Sequence, residues 1–422
     1  MPSYRQRVVD TEIDDVLGAL GAVVVEGPRA CGKTWTALRH ARSEVRLDAV
    51  PRAAELAELD PRPLLAGPTP RLLDEWQLAP ALWNAARREV DDRQKSGQFI
   101  LTGSAQPPED PARHSGAGRF GRVRMRPMAL SESGESTGEV SLGAVFAGEP
   151  ASGRSSVEAL EYADLIVRGG WPGLVERASS AVRPFLAGYV DGLVEHDVLV
   201  AEARRRDPVR FRRFLHAYAQ VVGGIASLST IASRATEPGT RVGVDHDAGL
   251  HWSTADGYLD AARRLMVVEE VPAWSPRLRS RTRLAGAAKR HFVDPSLAAH
   301  LMGADALRLR SDLETMGFLF ESLVTRDVQV YAQAMGASVF HYRDRDGALE
   351  IDLVLEKPDG AWMGIEVKLG DSRADDAAAN LRAVAERRVA RPPDALVVIT
   401  GGAYAYRRAD GVDVIPLAAL RP

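Results

Sequence analysis

The feature that most limits how this chain can fold is an eight-residue segment near its start, Gly27–Thr34, with the sequence GPRACGKT. It fits the pattern GxxxxGK(S/T), follows the apolar run Ala22–Val25 and leads into a stretch of helical pattern, Thr34–Ala41. Glycines let backbone N–H groups approach an anion closely, and the first turn of a helix adds favourable dipole ends. A strand, a glycine-rich loop and a helix in this order predict a site that holds a phosphate chain.

The individual positions of this loop predict how a nucleoside triphosphate would be held. Lys33 is expected to reach the β- and γ-phosphates, and Thr34 to place its hydroxyl on Mg²⁺. The remaining loop residues, all expected to contact the phosphates, are Gly27, Pro28, Arg29, Ala30, Cys31 and Gly32. Cys31 is the only cysteine, so neither an internal disulfide nor a cysteine-rich zinc module can form. It is either a redox switch or a small residue that the loop tolerates.

Two apolar strands further along the chain end in polar residues. The first ends in the pair Asp74 and Glu75; Asp74 is expected to hold Mg²⁺ and Glu75 to polarise the attacking water. The second, Phe99–Leu101, is followed by Thr102, which we expect to sense the γ-phosphate. The competing interpretation of Asp74 and Glu75 is that they are an ordinary solvated strand end.

Short apolar runs alternate with stretches of helix length over the first part of the chain. Besides Ala22–Val25, the expected strands are Val45–Leu47, Arg71–Leu73, Phe99–Leu101 and Val123–Met125. This alternation predicts an α/β fold with a mostly parallel sheet covered by helices. The segment Glu132–Ser156 is rich in Gly, Ser and Glu, and we expect it to be a loop or an insertion.

The order and spacing of these motifs resemble the AAA+ ATPases, and within them an uncharacterised prokaryotic family that joins an AAA+ core to a C-terminal domain of unknown function. The segments that carry the resemblance are GPRACGKT, LLDEWQ (Leu72–Gln77), LTGSA (Leu101–Ala105), GAGRFGR (Gly116–Arg122) and RGGWP (Arg168–Pro172). The resemblance implies that the chain binds ATP and Mg²⁺ and hydrolyses the ATP.

The same resemblance implies an arginine that reaches the γ-phosphate, often across a subunit boundary. Arg119 is the first candidate and Arg122 the second; the alternative is that both only decorate a loop. An arginine supplied in this way speeds hydrolysis by ~10³–10⁵-fold. It would require neighbouring subunits, so we expect a homo-oligomer. Arg168 is interpreted as part of a helix-breaking packing corner rather than as a second nucleotide sensor.

The formal net charge is only −3, so any contact with nucleic acid must come from a local patch. The strongest candidate is a set of alternate arginines after the apolar strand Met266–Val271: Arg277, Arg279, Arg281 and Arg283. In an extended segment they would share one face about 6.6 Å apart, from ~3.3 Å per residue, which suits a DNA backbone. Lys289 and Arg290 continue this basic stretch. The alternative is a solvated loop.

Two helical patterns, Ser227–Ala235 and Ser253–Arg264, precede that strand. Two helices followed by a β-ribbon resemble a winged-helix unit, whose wing often touches DNA. A second basic cluster consists of Arg204, Arg205, Arg206, Arg210, Arg212 and Arg213. This cluster is either a further DNA contact or an ordinary charged helix face.

A charged hairpin is predicted in the last part of the chain. Two strands are joined by the turn Lys357–Gly360, KPDG. Centring the hairpin on that turn places Asp352 opposite Glu366 and Glu350 opposite Lys368. Period two puts these four charges on one face, and the opposite face then carries Ile351, Leu353, Ile365 and Val367.

Two directly opposed carboxylates repel unless a cation lies between them, and a divalent metal would serve. This D…ExK pattern, preceded by a helix that carries Glu321, resembles the PD-(D/E)XK nucleases. The resemblance implies that Asp352, Glu366 and Glu321 bind Mg²⁺ and that Lys368 assists catalysis. One departure is that Glu350-Ile351 stands where many members have a Pro-Asp context. The alternative is a salt bridge between Glu350 and Lys368 in a domain that has lost its chemistry.

The length of 422 residues predicts two to four domains at about 150 residues each. We expect an AAA+ P-loop ATPase core at 1–150, a helical lid and winged-helix-like module at 151–290, and a PD-(D/E)XK nuclease-like α/β domain at 291–422. No signal peptide and no apolar run of membrane-spanning length is found, so a soluble cytoplasmic protein is expected.

The leading functional hypothesis is an ATP-hydrolysing machine that acts on DNA, with a Mg²⁺-dependent nuclease site in its C-terminal domain. The alternative is an ATP-gated switch that binds nucleic acid or protein and whose nuclease-like domain is inactive. A third hypothesis, a scaffold without nucleic acid, predicts that DNA binding is absent.

Overall fold

The computed structural model of the chain describes residues 4–103, 114–197, 207–235, 250–276, 286–344, 347 and 349–422. The described residues divide into two units. The first belongs to Met1–Pro127, Gly192–Arg206 and Asp260–Val267, and the second to Met128–Asp191, Asp207–Leu259 and Val268–Pro422. The four alternate arginines after Pro276, the cluster Arg204–Arg206 and Ser104–Ala105 of the LTGSA motif lie outside the described residues.

The first unit is a parallel sheet with helices around it. The strands are β1 (Ala22–Glu26), β2 (Ser43–Arg46), β3 (Arg71–Asp74), β4 (Phe99–Gly103) and β5 (Phe120–Arg124). They lie in the order β2-β3-β4-β1-β5, and every pairing is parallel. The helices are α1 (Val9–Ala19), α2 (Lys33–His40), α3 (Ala53–Leu59), α4 (Arg62–Leu65) and α5 (Ala81–Arg93). All five expected strands are therefore present.

Strand β1 explains why helices cover both faces of this sheet. Its Val24 belongs to one apolar cluster, with Trp83 of α5. Its Val23 belongs to another, with Ile13 of α1 and Ala37 of α2. Since successive side chains of a strand point to opposite faces, an all-apolar strand is stable only when both faces are covered.

The middle of the chain is mainly helical. Its helices are α6 (Leu130–Ser133), α7 (Leu142–Phe146), α8 (Tyr162–Arg168), α9 (Val182–Gly192), α10 (Pro208–Ala219), α11 (Leu228–Arg234), α12 (Trp252–Arg264), α13 (Pro295–Leu301) and α14 (Ala306–Ser311). A two-stranded ribbon follows α12, in which β8 (Val268–Val271) pairs antiparallel with β9 (Lys289–Phe292). The order of two helices and then a ribbon is as expected, and the alternate arginines belong to the connection between these two strands. The expected domain boundary at residue 290 falls inside β9.

The last part of the chain contains a seven-stranded mixed sheet. Its strands are β7 (Gly153–Arg154), β10 (Ser338–Arg343), β11 (Glu350–Glu356), β12 (Trp362–Lys368), β13 (Ala395–Thr400), β14 (Tyr404–Arg407) and β15 (Asp413–Pro416). They lie in the order β10-β11-β12-β13-β15-β14-β7. The long helix α15 (Leu313–Ala334) precedes the sheet, and α16 (Ala374–Arg388) connects β12 to β13. The two hairpin strands, β11 and β12, and the preceding helix that carries Glu321, α15, are as the sequence predicted.

The expectation of a loop at Glu132–Ser156 was wrong. The segment contains β6 (Val140–Ser141), which pairs with β16 (Leu420–Arg421), and β7, which pairs with β14. Helix α7 lies between them and buries Phe146. A strand of two residues is too short to show the alternation of apolar and polar residues that identifies strands. The prediction therefore rested on the Gly, Ser and Glu content of the segment.

The RGGWP segment forms a buried corner in the second unit, which fits its interpretation as a packing element. The backbone N–H of Gly170 donates to Asp294 Oδ2 at 2.8 Å. The indole of Trp171 donates to Ser296 Oγ at 2.9 Å. A Cβ on Gly170 would lie only 2.1 Å from the carbonyl oxygen of Met128, so only glycine fits there.

Candidate functional site

The GPRACGKT loop connects the end of β1 to the start of α2. A Cβ on Gly27 would lie 2.2 Å from the carbonyl oxygen of Met125, so no other residue fits this backbone path. Helix α2 begins at Lys33, and no side chain caps its first turn. The amide groups at the start of α2 therefore point towards the loop, as an anion site requires.

Two polar side chains at the start of α2 contact the loop and the end of β3. The ammonium group of Lys33 donates to the carbonyl oxygens of Gly27 at 2.9 Å and of Pro28 at 2.8 Å. The hydroxyl of Thr34 donates to Asp74 Oδ1 at 3.0 Å. Since β1 and β3 are parallel strands of one sheet, their carboxyl ends lie at the same edge. The structure thus brings together the three residues that the sequence predicted for triphosphate and Mg²⁺.

Thr102 is aimed at Asp74 and not outward. It is buried at the end of β4, opposite Asp74 in the register between β3 and β4. Its hydroxyl donates to Asp74 Oδ1, the same oxygen that Thr34 contacts. Its geometry therefore suits orienting the carboxylate, whereas we had expected it to sense the γ-phosphate.

Glu75 turns the chain sharply after β3. Its φ of 57° is left-handed, and a 3₁₀ turn, Trp76–Leu78, follows it. A non-glycine residue in this region costs on the order of 1–3 kcal/mol, and such strain clusters at functional sites. The carboxylate accepts a hydrogen bond from the side-chain amide of Gln77. The turn moves Glu75 out of the strand's alternation and places it beside Asp74 at the edge of the sheet.

The oxygen atoms that could bind a metal beside the Gly27–Thr34 loop fit Mg²⁺. The hydroxyl of Thr34 and the carboxylate of Asp74 are hard oxygen ligands next to each other. One carboxylate and one hydroxyl leave most of the octahedral positions to phosphate oxygens and water, which is the usual arrangement for this ion.

Arg119 lies where the strands of the sheet begin, at the opposite end from the loop. It directly precedes β5, whose first residue, Phe120, pairs with Ala22 at the start of β1. The loop follows the other end of β1, four residues on, or roughly 13 Å at ~3.3 Å per residue. The side chain of Arg119 is 43% exposed, and its guanidinium pairs with Asp91 at 2.9 Å. Arg119 is therefore placed away from the loop of its own chain.

The other two arginines of these motifs are engaged in local contacts. Arg122 forms an ion pair with Glu26 and lies over the ring of Trp83, 5.6 Å from its centroid. Arg168 pairs with Glu135 at 2.5 Å. These contacts hold Arg122 on β5 and Arg168 at the corner.

Sequence reasoning missed Arg7, which stabilises the Gly27–Thr34 loop through hydrogen bonds. Its buried guanidinium donates to the carbonyl oxygens of Cys31 at 2.9 Å and of Arg126 at 2.8 Å. Cys31 itself is fully buried, which favours its interpretation as a small packing residue over a redox switch. Only the presence of an arginine before the first helix could have hinted at this role.

Two arginines in the described part of the second basic cluster are paired with acids. Arg210 contacts Asp207 at 3.6 Å, and Arg212 contacts Asp191 at 2.6 Å. Lys289 and Arg290, which we had read as an extension of the basic stretch, are also paired: both are buried on β9, and Arg290 pairs with Glu270. Burial removes Lys289 and Arg290 from any DNA surface.

The paired part of the charged hairpin has the expected register, and the expected pairs of Asp352 with Glu366 and of Glu350 with Lys368 lie beyond it. Leu353 pairs with Ile365 and Glu356 with Trp362, with the Lys357–Gly360 turn between the strands. On the other side of β11, Phe340 pairs with Val354 but Tyr342 with Ile351. Two residues of β11, Asp352 and Leu353, therefore oppose one residue of β10, which is a β-bulge.

The bulge breaks the alternation that we had expected. Ile351 packs in the same apolar cluster as Val354, although they are three residues apart. The prediction that Ile351 and Leu353 share the face opposite Asp352 was therefore wrong at this point. Bulges re-aim single side chains, and here the bulge includes the acid of the motif.

Asp352 lies at the centre of a buried charged cluster. Lys289 Nζ lies 2.8 Å from Asp352 Oδ1 and 2.6 Å from Glu321 Oε1. Lys368 Nζ lies 2.9 Å from Glu366 Oε2 and 3.8 Å from Asp352 Oδ2. The structure thus brings together all four residues of the predicted nuclease motif, and it adds Lys289.

Further hydrogen bonds complete this cluster. The amide of Asn380 on α16 donates to Glu366 Oε1 at 2.8 Å. The backbone N–H of Val367 donates to Asp352 Oδ2 at 2.9 Å. The alternative salt bridge between Glu350 and Lys368 is not formed, since Lys368 pairs with Glu366 and Asp352 and Glu350 is exposed. Neither Lys289 nor Asn380 belongs to the hairpin, so the motif gave no signal of them.

Burial and mutual charge shift the pKa values within the cluster. Burial raises the pKa of Glu366 well above its usual range, and the charge of Asp352 adds to the increase. Burial raises the pKa of Glu321 to about 7 against the opposing effect of Lys289. Burial also acts to raise the pKa of Asp352, but Lys289 and Lys368 outweigh it and hold that pKa well below normal. Asp352 is thus the most acidic of the three acids in the cluster.

This cluster does not fit a divalent metal. The ammonium of Lys289 lies between Asp352 and Glu321, where the resemblance to nucleases would place the ion. Among the residues that the structure describes, no group of three or more His, Cys, Asp or Glu side chains is arranged to hold a metal.

Comparison with protein families divides the chain into three parts. Residues 20–134 match a family model described as an AAA domain. Residues 159–308 match a domain of unknown function (DUF8612), and residues 316–420 match another (DUF4143). No curated protein matches the chain. The AAA match and the parallel sheet flanked by helices support an AAA-type, nucleotide-binding ATPase in the N-terminal part.

The search for membrane spans gave a negative result. Over the described ranges, no helix has the length and apolar composition needed to cross a bilayer.

Proposed function

We propose that this chain binds ATP with Mg²⁺ and hydrolyses it. The observation that carries the proposal is the convergence of Lys33, Thr34 and Asp74 at one edge of the parallel sheet, with the hydroxyl of Thr34 3.0 Å from Asp74. The match of residues 20–134 to an AAA domain supports the same conclusion independently of this geometry.

Each residue then has a chemical task. Thr34 and Asp74 would hold Mg²⁺, whose charge stabilises the phosphate oxygens during transfer. Thr102 keeps Asp74 in position through its hydroxyl. Lys33 would exchange its two carbonyl acceptors for phosphate oxygens, which are stronger acceptors because they are charged. Glu75, beside Asp74, would orient and polarise the attacking water.

We also propose that the active form is a homo-oligomer in which Arg119 completes the site of its neighbour. The proposal is supported by the position of Arg119 at the end of the sheet away from its own loop and by the 43% exposure of its side chain. Its ion pair with Asp91 is a surface contact, worth about 0–1 kcal/mol, so it is easily exchanged for a phosphate.

Mixing two inactive variants tests hydrolysis and the shared site together. We expect Glu75→Gln to lower phosphate release by about 10²–10⁴-fold, the usual contribution of a general base. Arg119→Ala is expected to lower it by ~10³-fold or more. An equimolar mixture should regain activity, because an Arg119→Ala chain can receive Arg119 from a Glu75→Gln neighbour. The assay measures phosphate release against ATP concentration.

The outcomes of the mixing assay separate the two proposals. Normal hydrolysis by Glu75→Gln would contradict the assigned water-orienting role. A mixture no more active than its components would contradict the shared site while leaving hydrolysis intact. Arg122→Ala serves as the control, since Arg122 contacts Glu26 within its own chain.

We further propose that the middle of the chain contacts DNA through Arg277, Arg279, Arg281 and Arg283. The support is their strict alternation in sequence and the observed ribbon of β8 and β9, whose connection contains them. An extended connection would present the four guanidinium groups on one face.

Changing these four arginines to alanine should weaken DNA binding and flatten its salt dependence. Each phosphate contact contributes ~0.9 to the slope of log K against log salt, so the loss of four contacts should reduce the slope by about 3–4. Fluorescence anisotropy of a labelled duplex over a series of salt concentrations measures both quantities. The four-lysine variant keeps the charge and should retain most of the slope. Unchanged binding by the alanine variant would contradict a contact through these arginines, and a wild-type chain without salt-dependent DNA binding would support a scaffold without nucleic acid.

A further inference from the structure

The buried cluster around Asp352 contains a cation of its own. The ammonium of Lys289 lies 2.6 Å from Glu321 and 2.8 Å from Asp352, and its side chain is 8% exposed. Lys289 is supplied by β9, which belongs to the region matched as DUF8612, whereas Glu321 and Asp352 belong to the region matched as DUF4143. One lysine therefore joins the two regions through a buried ion-pair cluster.

We infer that Lys289 takes the place of a divalent metal in the C-terminal domain, so that this domain holds its acidic cluster together without metal and does not cleave phosphodiester bonds with Mg²⁺.

The ammonium of Lys289 occupies the space that a bridging metal would need. A Mg²⁺ ion requires oxygen ligands at about 2.0–2.1 Å in near-octahedral geometry. An ammonium nitrogen already lies within 2.8 Å of an oxygen of both Asp352 and Glu321, so an ion bridging these two acids would overlap it. Two cations at one point would also repel each other.

The charges of the cluster lead to the same conclusion. Three acids, Asp352, Glu321 and Glu366, share two ammonium groups, those of Lys289 and Lys368. Opposed carboxylates need a cation between them, and each acid of this cluster has one within 2.9 Å. The attraction that would recruit a metal is therefore largely satisfied within the chain.

The backbone of Lys289 is also held in place. Its backbone pairs with Val271 across the ribbon, and the next residue, Arg290, is tied to Glu270. His291, two residues on, is completely buried, and its Nδ1 lies 2.9 Å from Ser322 Oγ on α15. Withdrawing the backbone of Lys289 would thus require the whole strand to move.

Metal binding by the nucleotide-free full chain tests this inference. The free Mn²⁺ signal in electron paramagnetic resonance, followed over a titration, gives the number and affinity of bound ions. We expect the wild type and Asp352→Asn to bind the same amount of Mn²⁺. Lys289→Ala should acquire one additional site, at least tenfold tighter than any other, because its truncation opens the space between Asp352 and Glu321. The double variant Lys289→Ala/Asp352→Asn should lose that site again.

Arg290→Ala is the matched control. It removes a positive charge from the adjacent residue of the same strand, but its partner is Glu270, outside the cluster, so no new Mn²⁺ site is expected. The inference is overturned if Asp352→Asn removes a Mn²⁺ site that the wild type has. It is also overturned if folded Lys289→Ala, checked by near-ultraviolet circular dichroism, gains no site. The comparison of the wild type with Asp352→Asn remains decisive if Lys289→Ala does not fold.

Discussion

Replacing Lys33 with alanine is expected to lower the rate of ATP hydrolysis by about 10²–10³-fold, as removal of one donor to developing charge usually does. The ammonium of Lys33 lies within 2.9 Å of the carbonyl oxygens of Gly27 and Pro28, inside the loop itself. It would exchange these two acceptors for phosphate oxygens within the same loop. The side chain is buried, so its charge acts at low effective dielectric. Phosphate release at saturating ATP and Mg²⁺ measures the effect.

Lys95→Ala is the matched control for this prediction. Lys95 belongs to the same unit but is exposed on the segment after α5, so its loss should leave hydrolysis unchanged. If Lys33→Ala hydrolyses ATP as fast as Lys95→Ala, the assignment of the loop is contradicted. Retained secondary structure in far-ultraviolet circular dichroism confirms that loss of activity is not loss of folding.

Arg326→Met is expected to have the largest effect on stability, destabilising the second unit by about 3–5 kcal/mol. The guanidinium is only 1% exposed and pairs with Asp294 at 3.0 Å and Asp327 at 2.7 Å, both fully buried. Asp294 also accepts the backbone N–H of Gly170, so the same contacts fix the buried corner. Removing Arg326 leaves two buried carboxylates without their cation. Urea unfolding followed by tryptophan fluorescence measures the loss.

An exposed arginine gives the comparison for Arg326. Arg382 is 47% exposed and pairs with Glu386 at 3.2 Å, one helical turn away. Because exposed pairs contribute about 0–1 kcal/mol, Arg382→Met should change the free energy of unfolding by no more than that. Similar losses from the two substitutions would contradict the role given to the buried network.

Local signals predicted the parts of the fold that depend on neighbouring residues. The strand, loop and helix around Gly27–Thr34 follow from glycine placement and apolar runs within about twenty residues, a separation at which pattern is still readable. The hairpin register followed from the Lys357–Gly360 turn, because a short turn fixes which residues of two strands face each other.

Features that depend on distant residues could not be predicted. Lys289 Nζ contacts Asp352 across 63 positions of sequence, and nothing in a run of basic residues marks one member as buried. The bulge at Asp352 depends on how β10 pairs with β11, and not on the composition of β11 alone. The position of Arg119 at the far edge of the sheet likewise required the strand order.

Equilibrium dialysis of the wild-type chain against labelled ATP and Mg²⁺ tests the central claim most directly. We expect one nucleotide bound per chain, with Lys33→Ala binding at least tenfold more weakly and Lys95→Ala binding normally. A wild-type chain that retains no nucleotide, or a Lys33→Ala chain that retains as much as the wild type, would contradict the claim that Gly27–Thr34 forms the triphosphate site.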